Sequence, residues 1–347
     1  MNKFLRAFFA SLAWTISLNA HAATLGFVQL PATASSPEIS LFYPSSSPAT
    51  RIQQGRFALS LAWEGAWVDT PQKLPLLLIS HGSGGAPWPL SDLARAFVDA
   101  GYAVALPTHA GDNHRDMRNE GPASWVLRPR EISQTLDALA AHPHYSKVIE
   151  TQRAGVYGTS AGGFNALVLA GGQWSQGNFM RHCLANMEKD FHACVGLATY
   201  LRGNALDGIK LAVARAEHRR RFDDDTMLSH HEPRIRAAVA SVPMAAPFDM
   251  ASFARPGIPL GIIEAGQDVW LHPQFHSERV LNACKRCELI ARLAQAGHGS
   301  LFSPWPQDLA ASLSPMLVDP AGFDRSSLPN VYAQLVTFFN RHLSAPQ

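Results

Sequence analysis

Residues 155–163 read GVYGTSAGG, and the fold turns on how this stretch is read. A short apolar strand runs into Ser160, with Gly158 and Gly162 two positions away on either side. Read as a plain small-residue turn, the stretch needs nothing from the rest of the chain. Read as a tight strand-to-helix turn, the two glycines are required because side chains there would collide with neighbouring elements. The serine hydroxyl is then pushed clear of the sheet, close to a helix N-terminus that favours negative charge. The second reading demands partners elsewhere: a base, an acid to orient it, and donors for a developing anion.

Working outward, strand-like and helix-like segments alternate. Residues 38–43 and 55–63 read as strands, with a turn at 44–48. Residues 73–80 form a near-continuous apolar run, which suits a strand buried on both faces. It ends in HGSGG at 81–85. A helix is expected over 91–100 and a strand over 102–107. A further helix over 129–141 has Ile132, Leu136 and Leu139 on one face and Pro129 near its start. A strand over 153–157 enters the turn, and a small-residue helix over about 162–170 leaves it. Strands at 235–242, 258–265 and 287–293 follow, and a C-terminal helix over about 329–343 carries Leu335, Phe338 and Phe339. This pattern predicts an α/β fold: a mostly parallel sheet with helices on both faces. The alternation breaks at about 171–232, which reads as a helical cap inserted into one domain spanning 23–347.

The chemistry is placed by position. A serine hydroxyl needs a base, and His298, in AGHG after the last strand, stands on the rim where ligands bind in open α/β sheets. Asp268 follows the strand at 258–265 and is expected to orient His298, with Asp249 and Glu264 as alternative acids. The order Ser160, Asp268, His298 is that of α/β-hydrolase triads. The backbone N–H of Ala161 and that of Ser83, with Gly84 as alternative, are the expected oxyanion donors. His81 reads as structural, and His109 as a pocket-lining candidate. Trp88, Trp125, Trp174, Trp270 and Phe302 could line an apolar pocket or pack in the core.

Residues 1–22 have the order of a secretory signal: Lys3 and Arg6, an apolar stretch from Ala7 to Leu18, then Ala20-His21-Ala22. Cleavage after Ala22 would export the chain to the periplasm or the medium and leave no stable membrane anchor. The four cysteines fit an oxidising compartment. Proximity in the chain favours Cys183–Cys194 and Cys284–Cys287. The net charge of +2, with Arg219–Arg221 offset by Asp223–Asp225, offers no footprint for nucleic acid.

HGSGG, PTHAGDN, RPREISQTLDAL, GTSAGG and AGHGSLF together resemble the α/β-hydrolase superfamily. More narrowly, over roughly residues 38–300, the chain is similar to exported predicted dienelactone hydrolases and to bacterial platelet-activating-factor acetylhydrolase-like esterases. The resemblance implies hydrolysis of a small-molecule carboxylic ester through Ser160, Asp268 and His298, with no metal or other cofactor. Dienelactone hydrolases use a cysteine nucleophile, whereas position 160 is serine, so dienelactone chemistry is not implied. The same triad would also cleave amides, and a hydrolase fold can serve as a non-catalytic binding protein.

Overall fold

The computed structural model describes residues 23–196, 198–306 and 315–344. The expected signal segment, 1–22, lies outside them. A ten-stranded sheet dominates. Its strands, in chain order, are β1 (Thr24–Leu30), β2 (Glu38–Ser45), β3 (Thr50–Gln54), β4 (Phe57–Trp63), β5 (Leu74–Ser80), β6 (Ala103–Thr108) and β7 (Ile149–Thr159). A short β8 (Gln173–Trp174) stands apart, and β9 (Ile235–Ser241) rejoins the sheet. A second short strand, β10 (Phe248–Asp249), pairs with β8, and β11 (Leu260–Ala265) and β12 (Glu288–Leu293) complete the set. The spatial order is β12-β11-β9-β7-β5-β6-β2-β1-β4-β3.

The six strands from β12 to β6 are parallel, as the alternation with helices predicts. Beyond β6 the sheet turns antiparallel at β2, and β1 lies antiparallel to β2. Neither β1 nor β3 was expected from the sequence. Both are hairpin-like partners on the outer part of the sheet. Exposed residues in β3 blunt its apolar signal.

The core lies in two layers because side chains alternate across a strand. On β5, Leu76 and Leu78 join one buried cluster and Leu77 and Ile79 the other. One layer is covered by α2 (Pro122–Ala141) and α4 (Ala161–Leu169), the other by α1 (Ser91–Asp99) and α9 (Leu328–Leu343). Ile132, Leu136 and Leu139 on α2, and Leu335, Phe338 and Phe339 on α9, are buried as their spacing predicts. One boundary differs. The α2 helix begins at Pro122, so Pro129 lies in its interior rather than near its start. Gly121, with φ of 82°, precedes it, a conformation glycine adopts without strain.

Between α4 and β9, residues 171–232 hold α5 (Gln176–Asn186), α6 (Phe191–Val195) and α7 (Leu206–Arg221). The segment is tethered at both ends. Trp174 pairs with Phe248 and bridges to Leu228, and the Cys183–Cys194 disulfide joins α5 to α6. The α3 turn (Tyr145–Val148) and α8 (Ser277–Ala283) fill the remaining connections, and Cys284 is bonded to Cys287 just after α8.

The junction of β7 and α4 is sterically closed. A Cβ on Gly158 would overlap the Gly162 carbonyl, and one on Gly162 would overlap the Ser80 carbonyl. Gly162→Ala is therefore expected to cost more than about 4 kcal/mol, because backbone, not a flexible side chain, blocks the methyl. At Gly101 the surroundings are open and only the positive φ is at stake. Gly101→Ala should cost about 1–2 kcal/mol. Urea midpoints of the two variants measure the difference.

Candidate active site

Ser160 sits between β7 and α4 with φ of 58° and ψ of −118°. Such a non-glycine conformation costs on the order of 1–3 kcal/mol and persists only when neighbours over-determine it. They do here. The Ser160 N–H donates to the Ser241 carbonyl at 3.0 Å. The Ser160 carbonyl accepts from Phe164 at 3.0 Å and Met244 at 3.3 Å.

His298 and Asp268 meet this serine from the ends of neighbouring strands. The Oγ of Ser160 lies 2.9 Å from His298 Nε2, and His298 Nδ1 lies 2.7 Å from Asp268 Oδ2. A carboxylate only accepts, so Nδ1 of a neutral His298 carries the proton and Nε2 is free to accept from Ser160. Asp268 is itself fixed: its Oδ1 accepts the backbone N–H of Trp270 and of Leu271, each at 2.8 Å. The alternative acids are engaged elsewhere. Asp249 is exposed and caps a short helical turn at Ala251, while Glu264 pairs with Arg292 and Ser277.

The HGSGG loop is held from behind by a buried guanidinium. Arg128, with no solvent exposure, donates to the carbonyls of His81 at 2.5 Å and Gly82 at 3.3 Å. It also pairs with Asp112 Oδ2 at 2.8 Å. Asp112 in turn accepts from Ser124 and Ser83 hydroxyls, each at 2.5 Å, and from the Gly84 N–H at 3.1 Å. Across a planar trans peptide, the carbonyl of one residue and the N–H of the next point opposite ways. Holding the His81 and Gly82 carbonyls toward Arg128 therefore turns the Gly82 and Ser83 N–H groups to the other side. The loop runs against the elbow, since a Cβ on Gly82 would come within 3.3 Å of the Ser160 Cβ. Gly84, the alternative donor, spends its N–H on Asp112. Ala161 begins α4, where the first N–H groups lack helical partners.

Two further histidines brace this loop. The N–H of His109 donates to His81 Nε2 at 3.3 Å, and His81 Nδ1 donates to the Gly82 carbonyl at 2.7 Å. Burial, then the nearby His109 and Arg128, push His81 well below the usual imidazole range. His109, a pocket-lining candidate, does not reach the pocket wall. It is fully buried between Glu131, at 2.6 Å from Nδ1, and Ser80, at 2.8 Å from Nε2.

Ser160 and His298 open into a pocket of about 320 Å³ with a mainly apolar wall. Trp270, Phe302, Trp305, Phe57 and Met117 contribute to it. Of the five aromatics singled out in the sequence, Trp270 and Phe302 line the pocket. Trp88 packs on Phe27, and Trp125 and Trp174 join a buried cluster with Phe164 and Phe179. Among the described residues, the segment 171–232 reaches the lining at Gly196. Its His192 also stacks on Trp270 at 4.5 Å. Sequence reasoning assigned no role to Arg128 or Asp112. A signal was present: Arg128 falls one turn before Ile132 on the apolar face of its helix, and a charge there requires a buried partner.

The sequence matches no family model and no curated protein. A solved ferulic acid esterase from Streptomyces cinnamoneus is similar in structure, with a TM-score of 0.58, 16% identity, and 96% of each chain covered. The likeness, with the mostly parallel sheet, establishes an α/β-hydrolase fold.

The Arg128–Asp112 pair makes stability pH-dependent. Burial alone would raise the Asp112 carboxyl, but the Arg128 charge and the hydroxyl donors override it and hold it well below the usual range. A depressed folded-state pKa stabilises the fold above the unfolded value of about 4 and loses that contribution as pH falls. Asp112→Asn strands the guanidinium and should cost about 3–5 kcal/mol at pH 7. It should also flatten the loss of stability as pH falls below about 4, as read by urea midpoints.

Proposed function

We propose that the chain is an exported serine hydrolase of carboxylic esters. The observation that carries this reading is the unbroken relay Ser160–His298–Asp268 at the floor of an apolar pocket. In the proposed cycle, Ser160 Oγ attacks the ester carbonyl carbon while its proton passes to His298 Nε2. The negative charge that develops on the carbonyl oxygen is met by the N–H groups of Ala161 and Ser83. Collapse of the tetrahedral intermediate breaks the C–O bond, and the alcohol leaves with the His298 proton. Water then attacks the acyl-enzyme by the same route, releasing the acid and restoring Ser160. Asp268 keeps His298 in the accepting tautomer and stabilises the imidazolium.

The pocket wall of Trp270, Phe302 and Trp305 favours an ester with aromatic or aliphatic bulk. The structural neighbour is described as a ferulic acid esterase, so aromatic acyl esters are the first substrates to try. The narrower kinship with predicted dienelactone hydrolases and platelet-activating-factor acetylhydrolase-like esterases belongs to this proposal. So does export, which draws support from the signal-like residues 1–22 and from both disulfides. No helix of the described residues is long and apolar enough to cross a membrane.

On 4-nitrophenyl and aromatic acyl esters, Ser160→Ala should lower kcat by about 10⁴-fold or more. Asp268→Asn, which favours the wrong imidazole tautomer, should lower it by about 10⁴-fold. A fluorophosphonate should label the native chain at Ser160 and leave Ser160→Ala unlabelled. Undiminished ester turnover in Ser160→Ala overturns the proposal.

A further inference from the structure

A second cleft, of about 250 Å³, shares no lining residue with the pocket of Ser160. It lies between α5, the approach to β10 and the stretch from Phe275 to Arg279. Its polar lining is Arg181, Arg279, His182, Asn178 and Asn186, and no carboxylate lines it. Ala246, Phe248 and Phe275 give it an apolar side.

We propose that this cleft binds an oxyanion carried on a small apolar group, with Arg279 as its anchor. The inference does not rest on the ester reading. Arg279 is half-buried in α8, and no hydrogen bond or ion pair engages its guanidinium among the described residues. Burial lowers its pKa, and no neighbouring carboxylate offsets this. A partly desolvated guanidinium with no protein partner among the described residues is available to an anion, and its planar fork matches a carboxylate or phosphate.

Arg181 offers a second, more weakly committed cation. Its NH1 meets Asp225 at 2.6 Å and its NH2 meets Asn178 Oδ1 at 2.7 Å, but both ionic partners are more than half exposed. Exposed pairs of this kind are weak and exchange readily for a better-placed anion.

His182 Nε2 donates to Asp190 Oδ2 at 2.7 Å, and His276 Nε2 donates to the same oxygen at 3.1 Å. Burial would raise the Asp190 carboxyl, yet these two imidazole donors hold it at about 2, so it stays ionised. Asp190 does not line the cleft. Both imidazole donors go to its Oδ2, while its buried Oδ1 has no partner among the described residues; the polar groups that line the cleft are cations, amides and the His182 ring. Phe275 meets that ring edge-on at 5.5 Å, placing aromatic surface beside the polar group.

The test is calorimetric titration of the full exported chain in low-salt, phosphate-free buffer, using inorganic phosphate, phenyl phosphate and benzoate. One saturable site is expected, tighter for phenyl phosphate than for inorganic phosphate. Tighter binding of benzoate would identify the head group as a carboxylate. Arg279→Gln should weaken binding by about tenfold or more, with urea midpoint and ester turnover unchanged. Arg279→Lys should retain part of the affinity and Arg181→Gln should lose less than Arg279→Gln. Ser160→Ala should bind as the native chain does. Absence of saturable binding by all three probes, or native affinity in Arg279→Gln, overturns the proposal. Loss of binding in Ser160→Ala alone would place the anion in the ester pocket and overturn it equally.

Discussion

Arg128 has no access to solvent, and the loops around Ser160 depend on where its donors go. One guanidinium reaches two backbone carbonyls of the HGSGG loop and the Asp112 carboxylate, and Asp112 carries the charge forward to Ser83 and Gly84. A buried ion pair does little for net stability compared with apolar packing of the same volume. Its effect here is directional. Fixing a peptide's carbonyl also fixes the direction of its N–H, and an arginine fork holds two carbonyls at once. A lysine, with a single compact ammonium, could not reproduce that geometry.

The strained elbow and the braced loop are halves of one arrangement. Gly162 can approach the Ser80 carbonyl because it has no side chain, which brings the start of α4 against the end of β5. Asn165 on α4 then reaches the Ser80 hydroxyl at 3.1 Å, and Ser80 bonds His109, which bonds Glu131 on α2. The strand ends, α4 and α2 are thus joined by buried hydrogen bonds directly beneath the pocket. Networks of this kind hold a site in place through their paired members; Asn165 Oδ1 has no partner among the described residues.

The interrupted stretch at 171–232 has a more divided part than its position suggests. Its α5 packs Phe179 into the Trp125–Phe164–Trp174 cluster, and Gly196 and the His192–Trp270 stack bring it to the edge of the pocket. Most of the described pocket wall comes instead from β4, the loops after β5 and β6, and the stretch after His298. These are segments with weak periodicity, whose side chains meet only when the chain is folded. The same holds for β1 and β3: β1 pairs antiparallel with β2 and parallel with β4, and β3 pairs antiparallel with β4 at the edge.

The sequence by itself determined the α/β alternation, the elbow with its two glycines, the order of Ser160, an acid and His298, and the disulfide pairs favoured by proximity. These depend on local backbone sterics, on side-chain period, or on separations of 11 and 3 residues. Tertiary structure decided which acid faces His298, 30 residues away, and that His109 braces the site instead of lining it. It also decided that Arg128, 47 residues from His81, orients the loop in front of Ser160. Such contacts are chosen by distance and burial in three dimensions. A one-dimensional pattern carries the residue types but not which of them meet.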